Sequence, residues 1–139
     1  MSFLLTIHSI NRWLVTLVAL TLLIRLVMGL AKKQPFDKNK AILTSLFGGL
    51  MDLQLLLGAF FLVLDGIAKT GFPTYRWEHA ILMLMSVIIA HLPAMWKNKN
   101  DFARTRNTLI AVSISLLFVF LGVSPLGGWI RWWHISGLF

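Results

Sequence analysis

The chain has 139 residues, of which 58% are hydrophobic and only 13% charged; it holds no cysteine and carries a formal net charge of +8. Its mean hydropathy is +0.79. A soluble domain is about a quarter charged, so composition excludes one and points to a single all-α membrane domain over residues 1–139. Without cysteine there are no disulfides, no thiolate metal ligands and no covalently attached c-type haem. The positive charge does not indicate a nucleic-acid partner, because it concentrates in two short loops between apolar runs.

The first apolar run covers residues 4–30. No basic stretch precedes it and no small-residue cleavage site follows, and it is too long for a signal peptide, so a permanent transmembrane helix is expected. His8, Asn11 and Arg12 lie in its first turns, and Trp13 marks an interfacial level. Helical spacing puts His8, Arg12, Val15 and Ala19 on one face. A loop at residues 31–40 follows, with Lys32, Lys33, Lys38 and Lys40 around Pro35.

The second run, residues 41–64, contains Gly48, Gly49, Asp52, Gln54 and Gly58. Gly48 shares a face with Asp52, and Gln54 with Gly58. The loop at 65–75 contains Gly66, Lys69, Gly71 and Pro73. The third run, residues 76–96, opens Arg76-Trp77-Glu78-His79 and places His79, Met83, Ser86 and Ala90 on one face. His91 follows His79 by twelve residues, about 18 Å along the axis and on a different face. Pro93 cannot donate to the carbonyl of Ile89, so a bend is expected beside His91. After a basic loop at 97–106, the fourth run covers residues 107–123 and ends at Ser124-Pro125. The tail, residues 126–139, holds Trp129, Arg131, Trp132, Trp133 and His134, the composition of an amphipathic interfacial segment.

The loops at 31–40 and 97–106 together hold eight Lys or Arg residues. The positive-inside rule therefore puts both loops in the cytoplasm and both termini outside. The expected architecture is an up-down bundle of four transmembrane helices. The first and third spans then enter from the same side and can lie on the diagonal of the bundle. His8 and His79 sit at similar depth on them.

Two neutral imidazoles suit the axial positions of haem iron. Arg12 and Arg76 are placed to pair with the anionic propionates, and Gly58 to leave room for the edge of the macrocycle. The expectation is one b-type haem held by His8 and His79. A hydrated interfacial role for the histidines and a simple metal site, supported only by Glu78, are the alternatives. Asp52 and His91 lie deeper and form a second candidate, a proton or quinone site, with a buried packing contact as the plainer reading.

The sequence Leu5-Thr6-Ile7-His8-Ser9 with Arg12-Trp13, then Pro35-Phe36, the run from Asp52 to Gly58, Glu78-His79 and His91 resemble a group of small bacterial four-helix membrane proteins labelled cytochrome B-like. The resemblance covers nearly the whole chain, except the tail with Trp132-Trp133-His134. It implies a b-type haem on His8 and His79, electron transfer in place of stand-alone enzymatic turnover, and the bacterial inner membrane. The expected role is a small subunit of a respiratory or photosynthetic membrane complex, with other membrane subunits as partners. The competing expectation is a structural subunit, free of cofactor or binding pigment or lipid. No nucleophile motif or phosphate-binding loop is present.

Overall fold

The computed structural model describes residues 2–126, which form four long α-helices and, among the described residues, no strand. They are α1 (Ser2–Ala31), α2 (Lys38–Asp65), α3 (Thr74–His91) and α4 (Asp101–Val123). With their short extensions, all four are long and apolar enough to cross a membrane. The expected amphipathic tail, including His134, lies outside the described residues.

Capping decides where these helices begin and end, and it moves several bounds away from the apolar runs. α2 starts within the basic loop because Asp37 Oδ1 accepts the Lys40 backbone N–H at 2.9 Å. α4 starts at Asp101 because Asn100 Oδ1 accepts the Ala103 N–H at 2.8 Å. Asp101 in that first turn also meets the positive end of the helix dipole. Lys38, Lys40, Arg104 and Arg106 are therefore helical.

α1 closes with the Gln34 N–H on the Gly29 carbonyl at 2.8 Å and the Lys33 N–H on the Leu30 carbonyl at 3.3 Å. That is a Schellman motif, with Lys33 at φ 51° in the left-handed position usually held by glycine. Lys40 folds back under this turn. Its Nζ donates to the Pro35 carbonyl at 2.7 Å, and the residue is 3% exposed. Gly29 makes the room, since a Cβ there would lie 2.8 Å from Lys40 Cε.

The loop expected over 65–75 is partly helical. α2 runs to Asp65 and continues as one π-turn, Gly66–Thr70. Gly71, at φ 64°, then reverses the chain, its N–H bonded to the Gly66 carbonyl at 3.1 Å. At the end of α3, the break expected from Pro93 is a change of helix type: the α-helix stops at His91 and a 3-10 stretch, Leu92–Trp96, carries on.

Consecutive helices run antiparallel. The start of α1 meets the second half of α2 (Asn11 with Gln54), Asp65 meets Arg76, and Ser86 meets Ser115. α1 also packs on α4, closing the bundle and leaving α1 and α3 on a diagonal. The near end is taken as the one where α1 and α3 begin, and the far end as that of the two basic turns. The core runs along the axis through Val15, Ala19, Leu22, Leu26, Phe47, Met51, Val87, Ala90 and Val112. Val15 and Ala19, on the His8 and Arg12 face of α1, are packed into this core. The outward faces carry exposed apolar residues such as Leu17, Ile24, Leu56, Ile81 and Leu117. That pattern suits a lipid environment.

Ser86 and Ser115 join α3 to α4 at its centre. Ser86 Oγ donates to the Ser115 carbonyl at 2.8 Å, and Ser115 Oγ donates to the Ser86 carbonyl at 2.9 Å. Both residues are fully buried. At the far end the Arg104 guanidinium stacks over the Phe36 ring, 4.0 Å from its centroid.

Candidate functional site

His8 and His79 each stand about 8 Å along their helices from the near end, at 1.5 Å rise per residue. They lie on the diagonal pair α1 and α3, within electrostatic reach of each other, and Arg12 is within the same reach of His8. Arg12 follows His8 by one turn, so α1 presents both toward the same region.

A different neighbouring helix orients each imidazole. Asn11 Nδ2 donates to Gln54 Oε1 at 2.8 Å and to the Leu50 carbonyl at 3.0 Å, which fixes the Gln54 amide. The Gln54 amide N–H then donates to His8 Nε2 at 3.0 Å. His8 is thereby the tautomer with its proton on Nδ1, and Nδ1 is buried with no hydrogen-bond partner among the described residues. On the other side, His79 Nδ1–H donates to the Gly122 carbonyl at 2.7 Å. Its Nε2 lone pair is left for another group. A metal-ligating histidine is commonly held this way, with its second nitrogen donating to a backbone carbonyl.

Glycines stand beside both rings. A Cβ on Gly58 would lie 3.3 Å from His8 Cε1. A Cβ on Gly122 would lie 3.7 Å from His79 Nδ1 and would overlap the end of Met83. Gly58 was picked out from the sequence. Gly122, Asn11 and Gln54 were not placed in the site. Gln54 had a usable signal, an amide in an apolar run one turn before Gly58. The Gly122 carbonyl had none, because every residue has a carbonyl.

Arg76 is differently engaged from the expectation. Its Nη1 lies 2.7 Å from Asp65 Oδ2, and both side chains are largely buried. Its guanidinium also lies 5.5 Å from the centroid of the Phe61 ring. The π-turn extends α2 far enough to bring Asp65 over Arg76, so the positive charge already has a carboxylate partner.

His91 and Asp52 meet between α3 and α2. His91 Nε2–H donates to Asp52 Oδ1 at 2.8 Å. The side chains are 52% and 47% exposed, so the contact lies on the flank of the bundle and not in its core. Gly48 lies under the ring, where a Cβ would come within 3.3 Å of His91 Cε1. Among the described residues no three of His, Asp and Glu gather as a metal-ligand set.

Comparison of the chain with protein-family models, curated proteins and solved structures gave no match.

Proposed function

We propose that this chain is a multi-pass membrane protein that binds one b-type haem between His8 and His79 and transfers electrons. The observation that carries the reading is the diagonal pair of imidazoles at one depth, each oriented by a neighbouring helix and each flanked by a glycine. The residues fit the group. His79 offers an Nε2 lone pair, and His8 would offer its own if the neutral Gln54 amide moved off it. A bound haem would supply a one-electron couple.

The chain's own residues do the rest. Before the group is bound, Asn11 and Gln54 hold the His8 tautomer; the Gly122 carbonyl holds that of His79 throughout, and Arg12 supplies positive charge beside His8 for a propionate. Arg76 contributes more weakly to that field, because Asp65 offsets it. The basic turns at the far end favour a cytoplasmic position for that end and an external one for the histidines and both termini. The bacterial inner membrane, as a small subunit among other membrane proteins, is the setting in keeping with this topology.

The test is a reduced-minus-oxidised visible spectrum of protein purified from haem-replete cells. A low-spin six-coordinate b-type signal is expected. His8→Ala and His79→Ala should each abolish it, and His91→Ala should leave it intact. A spectrally silent wild-type protein overturns the reading and favours a structural subunit.

A further inference from the structure

Asp52 sits at the middle of α2, and His91 closes α3 with only the 3-10 stretch Leu92–Trp96 between it and Lys97, so the pair lies inside the apolar belt toward the far end. An ionisable pair at such depth ordinarily faces the interior of a bundle. Here both side chains are about half exposed on the outer flank. Apolar residues flank them: Leu56 one turn along α2 and Ile88 one turn before His91, both more than half exposed. The pair is a polar notch in a lipid-facing belt.

The notch has a floor. Gly49 shares the Asp52 face of α2, and a side chain there would meet nothing within 4 Å. Gly48 beside it carries the His91 ring. Bare α2 backbone therefore runs along one edge of an imidazole, leaving a flat opening with an apolar surround. The chemistry of the opening is specific. Asp52 takes the Nε2 proton, so His91 Nδ1 is left as a hydrogen-bond acceptor with no partner among the described residues.

Charge limits the occupant. The Asp52 carboxylate at the opening repels an anionic phosphate, so a phospholipid headgroup is disfavoured there. The ligand needs a flat ring, a hydroxyl donor and enough apolar character to reside in the hydrocarbon. We propose that the notch formed by Gly48, Gly49, Asp52 and His91 binds the ring of a lipid-soluble quinol, entering from the bilayer, with one ring hydroxyl donating to His91 Nδ1. Its alkyl tail lies along Leu56 and Ile88, which both stand on the near-end side of the pair. The site shares no residue with the His8 and His79 pair, so it stands or falls independently of haem binding.

The experiment uses the full chain in lipid nanodiscs and a benzoquinol whose short alkyl tail carries a diazirine, with photolabelled residues mapped by mass spectrometry. Labels are expected on α2 and α3 around Leu56 and Ile88, and unlabelled decyl-tailed benzoquinol should compete them away. His91→Phe keeps a ring over Gly48 but removes both nitrogens, and Gly49→Leu fills the floor without altering Asp52 or His91. Both substitutions suit a membrane helix; His91→Phe should lower labelling about tenfold, the equivalent of one hydrogen bond, and Gly49→Leu should lower it by filling the space of the ring. Labelling spread evenly over the exposed faces of all four helices overturns the proposal, as does undiminished labelling in His91→Phe. Chains paired through this face in the wild type and separated by Gly49→Leu would identify the occupant as protein, which also overturns it. A spectrally silent protein that still labels here would retain this site while removing the haem.

Discussion

Two glycines set how much room the imidazoles have. At Gly58 the helix passes so close to His8 that even a methyl group would lie 3.3 Å from the ring. A membrane helix accepts leucine well, so Gly58→Leu should keep its helical content. Its side chain would occupy the space beside His8 in which the macrocycle edge is proposed to lie. The expected outcome is loss of the low-spin haem signal, with far-ultraviolet circular dichroism unchanged. A Gly58→Leu protein with full haem occupancy would show that the space beside His8 is not the cofactor's. The contrast with Gly66 is instructive, because there a Cβ would overlap the Phe72 ring. That close approach shapes a turn, and only the company of a histidine marks Gly58 as part of a site.

At the scale of the element, each helix has a distinct source of stability. α1 ends on Lys33 in the left-handed region, where a side chain costs about 1 kcal/mol relative to glycine. Lys33→Gly should raise the thermal unfolding midpoint in detergent, with a gain of about 1 kcal/mol. A lowered midpoint would mean that the lysine side chain earns its position by another contact. The α3–α4 seam depends on the reciprocal serine pair. Ser86→Ala should destabilise by about 1 kcal/mol, because buried hydrogen bonds between membrane helices are worth about that much. Adding Ser115→Ala should cost less than its single replacement, since the two hydroxyls share one network. Additive losses in a double-mutant cycle would argue against that coupling.

Helix ends were the least legible feature of the sequence. Lys38, Lys40, Arg104 and Arg106 lower the local hydropathy and so look like loop, yet Asp37 and Asn100 cap the backbone ahead of them. The caps were readable signals that hydropathy outweighed. The π-turn after Asp65 was not readable, and it is what brings Asp65 onto Arg76.

Across the whole molecule, the alternation of four long runs was readable from composition and spacing alone, because a lipid-facing helix needs only length and apolar content. The shared depth of His8 and His79 followed from the same alternation. Their orienting partners did not, since those depend on how the helices rotate about their axes. The four helices return the chain to the end where it began, so a reporter fused after Phe139 should read as external when the basic turns face the cytoplasm. A cytoplasmic reading would reverse the proposed orientation.

The polar contacts of the two histidines also divide the molecule into halves. His8 is held by Gln54, within the hairpin of α1 and α2, and His79 by Gly122, within the hairpin of α3 and α4. Each hairpin can therefore set the angle of its own imidazole before the other is present. A ligand gripped by both rings would act as a clasp between two preassembled halves. Order of synthesis would then matter little to the site: the first hairpin can wait in the bilayer, already shaped, for the second to close over it.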